Sequence, residues 1–304
     1  MAAKRRLKLF LRVVSGVIPL LAASPALAIV GTTVSPPSQE IEVAPGATYS
    51  GSLSVDNDGS TAITYKATVS DYRVDNELYH ADFNSTSASA ITSPVSWIHL
   101  GSTSFILPAG ASLTLPYTIT APKNAAVGGH YAAIFVANVP PVGVGSTVIN
   151  RIQKIGSLLY ISVTGAVSLS GNIASFSASH LQWSTPIGAT LRVQNAGNDH
   201  FAASGEATAT PLFGTTGVTT AFKGEVLPGT TRRFDLQIPA RRPIGIYQIS
   251  ITPHYLNANG PTVTRWVVVI PALTFIILVS TLVLMLSFAG GLLVRRVKRR
   301  RHSE

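Results

Sequence analysis

Polar and apolar side chains alternate at a period of two through most of this chain, and that pattern excludes a helical body. Ile63, Tyr65, Ala67 and Val69 alternate with Thr64, Lys66, Thr68 and Ser70, and Leu113, Leu115, Tyr117 and Ile119 alternate with Thr114, Pro116, Thr118 and Thr120. Phe234, Leu236 and Ile238 follow the same rule, as do Tyr247, Ile249 and Ile251. Successive residues of an extended strand point to opposite faces, so this alternation predicts strands with one face buried. Tyr131 to Val136 is apolar throughout apart from one hydroxyl, which predicts a strand buried on both sides. Turn signals separate the runs: Pro45-Gly46, Asn57-Asp58-Gly59, Pro108-Ala109-Gly110, Asn195-Ala196-Gly197 and Pro228-Gly229. Many short strands with regular turns predict a β-sandwich or barrel.

The pattern also repeats at a larger scale. Leu53-Ser54-Val55-Asp56-Asn57-Asp58-Gly59 is matched 138 residues later by Leu191-Arg192-Val193-Gln194-Asn195-Ala196-Gly197. Leu107-Pro108-Ala109-Gly110 is matched only 120 residues later by Leu227-Pro228-Gly229, and each is followed by a Gly-x-Tyr strand (Gly129-His130-Tyr131 and Gly245-Ile246-Tyr247). The first copy therefore carries about 18 extra residues between its two turns. With a boundary in Gly165 to Gly171, the expected fold class is all-β: two tandem Ig-like β-sandwiches, 29–165 and 166–266, followed by one transmembrane helix. Asp56, Asn57 and Asp58 are read as a hairpin turn in which Gly59 supplies the positive φ, in preference to a calcium site.

The two ends carry the charge. Lys4, Arg5, Arg6, Lys8 and Arg12 precede the apolar stretch Val13 to Ala23 and the small-x-small site Ala26-Leu27-Ala28. This reads as a secretory signal peptide, 1–28, cleaved after Ala28. From Val267 to Val294 there is no charged residue. As a helix that stretch is roughly 42 Å long, enough to cross a ~30 Å hydrocarbon core with tilt. The basic segment 295–304 holds Arg295, Arg296, Lys298, Arg299, Arg300 and Arg301, which makes it a cytoplasmic tail by the positive-inside rule and lets it attract anionic lipid. The expected address is a single-pass membrane protein with its body extracytoplasmic. The net charge of +10 is confined to these ends, because Ile29 to Trp266 holds 12 cations and 12 acids; a nucleic-acid-binding face is not expected. With Cys at 0, disulfides, cysteine-ligated metals and thiol catalysis are excluded.

No nucleophile elbow, phosphate-binding loop or zinc-protease motif occurs in the sequence. Asp199-His200 is the one adjacent carboxylate–imidazole pair and is read as a solvated loop tip. Asp71, Asp75, Glu77 and Asp82 form a loose acidic group in a loop. Trp97, Tyr131, Trp183 and Tyr247 lie in or beside strand patterns and are assigned to core packing. The segment Asn138 to Asn150 is long for a hairpin loop, and long loops are often functional. Arg151 and Lys154 flank it and are the candidate binding residues. No catalytic, cofactor or metal site is expected.

Several of these segments together resemble the first domain of the WxL-interacting protein family, over about Ile29 to Gly165. They are Ser35-Pro36-Pro37, Val43-Ala44-Pro45-Gly46, Asn57-Asp58-Gly59, Thr68-Val69-Ser70-Asp71-Tyr72, Ser96-Trp97-Ile98, Phe105 to Gly110, Gly128 to Phe135 and Ile155 to Ile161. The resemblance implies a bacterial cell-surface protein whose first domain binds peptidoglycan, and it supplies no catalytic residues. The expected function is a membrane-anchored, non-catalytic binding protein whose partner is a cell-wall polymer or another surface protein. The alternative is a membrane-tethered pilus-type chaperone or assembly factor acting by β-strand addition. Such a chaperone should leave an unpaired sheet edge in its own fold.

Overall fold

The computed structural model describes residues 31–84, 93–140, 152–214 and 216–301. The expected signal segment with its cleavage point after Ala28, most of the 138–150 loop, and Arg151 lie outside them.

The first unit contains β1 (Thr32–Ser35), β2 (Ser38–Val43), β3 (Thr48–Asn57), β4 (Ile63–Asp71), β5 (Arg73–Val74), β6 (Ala81–Asp82) and a 3₁₀ turn at Pro94–Trp97. It continues through β7 (Ile98–Leu100), β8 (Ser104–Leu107), β9 (Ser112–Thr120), β10 (Gly128–Val139) and β11 (Lys154–Val163). Two sheets, ordered β1-β3-β9-β7 and β2-β11-β10-β4-β8, face each other, and β5 and β6 form a separate ribbon. The alternating residues meet between the sheets: Leu53, Val55, Tyr65, Ile119, Ile134 and Ile161 belong to one buried cluster. β10 lies between β11 and β4, and every residue from Ala132 to Val136 is buried, as a strand covered on both faces requires.

The second unit contains β12 (Gly171–Ser177), β13 (Leu181–Gln182), β14 (Ile187–Asn195), β15 (Phe201–Pro211), β16 (Val218–Val226), β17 (Thr231–Ile238), β18 (Gly245–Tyr255), β19 (Ala258–Asn259) and β20 (Val263–Val269). Its sheets are ordered β12-β14-β17 and β13-β20-β18-β15-β16, with β19 on β18. The wiring repeats that of the first unit, down to a short early strand pairing in parallel with the last one: β2 with β11, and β13 with β20. A second cluster, including Ile187, Leu191, Phe222, Ile238, Ile249 and Val267, forms its core.

The repeated Asn and Leu-Pro-Gly signals have one structural cause. The Asn57 side chain is buried, and its Nδ2 donates to the carbonyls of Thr61, Leu107 and Pro108 at 2.8, 2.9 and 3.0 Å. Asn195 Nδ2 likewise donates to Asp199 O at 2.7 Å and Val226 O at 2.8 Å. Each Asn Oδ1 accepts from the glycine two residues on, Gly59 N at 3.0 Å and Gly197 N at 2.9 Å. Gly110 N and Gly229 N then donate to the carbonyls of Asn57 and Asn195 at 2.9 and 3.0 Å. Both of these glycines have positive φ, +68° and +69°, the left-handed region that a side chain disfavours. The hairpin expectation is thereby corrected. β3 and β4 lie in different sheets, so the Asn57 turn arches between layers, and the left-handed glycine is Gly110.

After β20 only Ile270 and Pro271 precede α1 (Ala272–Arg301). Its stretch Ala272–Leu293 is long and apolar enough to cross a membrane, and none of it is buried against the body. The expected span, Val267 to Val294, therefore begins too early. Val267 and Val269 are fully buried in the core of the second unit and pair with Tyr247 and Gly245. The helix continues through Arg301, so the cationic residues extend it.

Candidate functional site

The five-stranded sheet of the first unit is incompletely closed on one side. Leu158 N donates to Pro37 O at 2.9 Å, and from there β2 accompanies β11 as far as Val163. Residues of a strand turn their amides alternately to either side, so Lys154 and Gly156 face the same side as Leu158. No strand stands opposite them among the described residues. The reason lies in the sequence: Pro36 and Pro37 have no N–H to offer a ladder. The chain before them turns into the other sheet, where Val34 pairs with Val55. Ser157 Oγ donates to Pro36 O at 2.6 Å and anchors the point of departure.

Across one end of this sheet, from β8 to β11, lies a row of exposed apolar side chains. Thr64 is registered with Ile106 on β8 and with Val139 on β10. The β10–β11 register, in which Ala137 faces Lys154, carries on to place Val139 against Ile152. Ile106, Val139 and Ile152 are all exposed. Lys154, one of the two candidate binding residues, begins β11 and holds its Nζ 4.0 Å from the centre of the Phe135 ring. Phe135 in turn lies against Gly156, where a Cβ would come within 2.6 Å of the ring.

A second cluster joins the two sandwiches. The stretch Arg73 to Asn84, within the part of the first repeat that carries the extra residues, reaches across to the second unit. Arg192 Nε donates to Glu77 Oε2 at 2.7 Å, Arg233 N donates to Glu77 O at 2.7 Å, and Leu227 N donates to Tyr79 OH at 2.8 Å. The Arg232 guanidinium sits 4.4 Å from the centre of the Tyr79 ring. Tyr72 and Tyr160 bury themselves against Leu227. Arg192 beside Glu77 holds that exposed carboxyl below its ordinary value.

Asp199-His200 is part of the same junction, so the solvated-loop reading is corrected. Asp199 is buried, and the His200 side chain is only 6% exposed. His200 Nδ1 meets Asp199 Oδ1 at 2.8 Å and Nε2 meets Glu40 Oε2 at 2.6 Å. A carboxylate on each ring nitrogen selects the doubly protonated imidazolium. Burial opposes that charge, but the two carboxylates outweigh it and push the His200 pKa up to about 9. Ser162 Oγ donates to Asp199 Oδ2 at 2.6 Å. The serine thus engages the carboxylate while both imidazole nitrogens are occupied elsewhere, which is not the relay a nucleophilic serine needs. Among the described residues no group of three or more His, Asp or Glu side chains is placed to hold a metal.

Trp97 and Tyr247 are core residues as expected, and Tyr131 packs at the junction between the units. Trp183 is different: it is 46% exposed and its ring meets Phe275 of α1 at 5.1 Å. The open edge of β11 is the feature that residue-by-residue reading missed. Its signal, Pro36-Pro37, was visible, but its effect depends on which strand stands opposite.

No protein-family model matches the chain, and no curated protein matches it in sequence. Among solved structures it is similar to the class 5 fimbriae chaperone CfaA, at 14% identity and a TM-score of 0.42, over 78% of this chain and 99% of that one. It is similar to a chain of the CsuC–CsuE chaperone–tip adhesion subunit pre-assembly complex from the archaic chaperone-usher Csu pili of Acinetobacter baumannii, at 14% identity and a TM-score of 0.42, over 78% and 98% of the two chains. It is also similar to the Pseudomonas aeruginosa CupB2 chaperone, at 10% identity and a TM-score of 0.37, over 77% and 98%.

Proposed function

We propose that this chain is a membrane-anchored, extracytoplasmic binding protein that holds partner polypeptides by taking one of their strands onto the open edge of β11. The observation that carries the reading is that, among the described residues, no strand stands opposite Lys154 and Gly156, where Pro36-Pro37 end the pairing of β2. A partner strand laid there supplies main-chain donors and acceptors, each bond contributing about 1 kcal/mol net. Ile152, exposed just before β11, favours an apolar side chain on the partner strand beside it. In this reading α1 is the anchor, with the body outside and the basic end inside the cell. The wall-polymer binding implied by the resemblance to WxL-interacting proteins is the competing outcome.

A photo-crosslinking amino acid at Ile152, in the full chain in its native membranes, tests the proposal. The Lys154→Pro variant removes one outward N–H at a position where a strand edge tolerates proline, and Lys154→Ala keeps that N–H. The expected result is an adduct with an exported polypeptide in the parent and in Lys154→Ala, reduced several-fold in Lys154→Pro. An adduct of undiminished yield in Lys154→Pro overturns the proposal. So does sedimentation with purified peptidoglycan in the absence of any polypeptide adduct.

A further inference from the structure

We infer that the end of the second sandwich from which α1 departs is a lipid-contact surface that rests on the phospholipid headgroups. The inference depends on α1 spanning the bilayer, as proposed above. Three connections converge on that end. β20 finishes there, and Ile246 at the start of β18 pairs with Val268. The end of β15 lies beside it, since Leu212 N donates to Ile246 O at 2.8 Å. β13 lies on its other flank, with Leu181 and Gln182 registered against Val268 and Val269.

The side chains presented there suit a membrane interface. Phe213 is 85% exposed, and Leu212, Ile244 and Ile246 are also exposed large apolar residues. Isolated exposed apolar residues are ordinary, but a group beside a membrane helix is not. Arg241 and Arg242 stand in the next loop, and a shallow recess is shared between Leu212, Phe213, Arg241, Arg242 and Ile244. The segments that meet at this end, 181–189, 211–214, 239–247 and 265–275, contain no Asp or Glu. Apolar rings with cations around them match acyl chains beneath a layer of phosphates.

Continuity with the helix sets the occupant. Two residues separate β20 from α1, so the sandwich ends within about 11 Å of the first helical turn. Trp183 meets Phe275, which lies inside the candidate span, and so belongs at the level where aromatic side chains gather at membrane surfaces. A bilayer crossed by α1 therefore brings its headgroups against Phe213 and the arginine pair.

The absence of cysteine allows a direct test with single-cysteine variants of the full chain, labelled with an environment-sensitive fluorophore. The chain is reconstituted into vesicles of phosphatidylethanolamine and phosphatidylglycerol whose acyl chains are brominated at shallow or deep positions. Label at Phe213→Cys should be quenched several-fold more by shallow bromines than label at Ser60→Cys, which lies on the far end of the first sandwich. Label at Leu282→Cys, inside α1, should be quenched by deep bromines. Quenching at Leu282→Cys with Phe213→Cys behaving like Ser60→Cys overturns the inference and leaves the span intact. Absence of quenching at Leu282→Cys overturns the span itself, and this inference with it. In an Arg241→Gln, Arg242→Gln background the shallow quenching at Phe213→Cys should fall, and no change there removes the arginines from the contact.

Discussion

Asn57 and Asn195 each tie together stretches of backbone that no strand pairing connects. Replacing either by Ala leaves buried carbonyls without donors, and each orphaned group costs about 1–3 kcal/mol. Asn57→Ala should therefore destabilise the first sandwich by about 2–4 kcal/mol, and Asn195→Ala the second by a similar amount, as read from denaturant unfolding. The Asn-x-Gly and Leu-Pro-Gly spacings showed that these residues recur together. They did not show why, because the bonds run between turns about 50 residues apart in the first unit and 31 in the second. His200 gives the second residue-level prediction. Its folded pKa, about 9, stands above its ordinary 6.5, so its contribution to the junction is complete below about 6.5 and is lost as pH rises through about 9. Asp199 is held below its ordinary value, because its bonds to His200 and Ser162 outweigh its burial; its contribution is present above that ordinary value and fades only as the solution turns more acidic. Glu40, Glu225, Tyr131 and Tyr160 surround the same ring. The melting temperature of the parent should decline between about pH 6.5 and pH 9, and that of His200→Gln should lose this decline. A decline of equal size in the variant excludes His200 as its source. The pair itself was visible in the sequence, but Glu40 lies 160 residues away, and only the docking of the two units brings it to the imidazole.

At the scale of elements, the strands were legible and their neighbours were not. Alternation identifies which residues of β4, β9, β17 and β18 face inward, because one buried face is a local property of a strand. Pairing order is not local. Pro36-Pro37 breaks a strand wherever it stands, yet it leaves part of β11 without a neighbour among the described residues only because β2 runs beside β11. The Val267–Val269 run was similarly ambiguous, since a buried strand and a membrane helix are equally free of charge; the border falls at Pro271. Trp183 departs from the core because its neighbour is the helix. The edge itself makes a further prediction. Gly156 lets the Phe135 ring lie across β11 beneath Lys154, so Gly156→Val should force the ring aside and cost about 1–3 kcal/mol in denaturant unfolding. If stability is unchanged, the ring does not depend on that close approach.

At the scale of the whole molecule, the 18 or so extra residues of the first repeat turn two similar sandwiches into one jointed body. The sequence announced the insertion but not its destination, because Glu77 and Tyr79 find their partners only in the folded second unit. Tyr79→Ala removes the hydroxyl that receives Leu227 N–H and the ring beneath Arg232. It should broaden the distance distribution between spin labels placed one on each sandwich, and an unchanged distribution would leave the joint to the Glu77 and His200 contacts. The anchorage has a mechanical consequence as well. β20 is flanked on both sides, by β13 and β18, and only Ile270 and Pro271 separate it from α1. If the chain captures a strand and α1 is its anchor, as proposed, a load drawn between the two pulls on the end of β20. Its bonds to the antiparallel β18 stand perpendicular to a pull along the strand and bear it together, as rivets in a lap joint share a shear load, rather than parting in turn like the teeth of a zip.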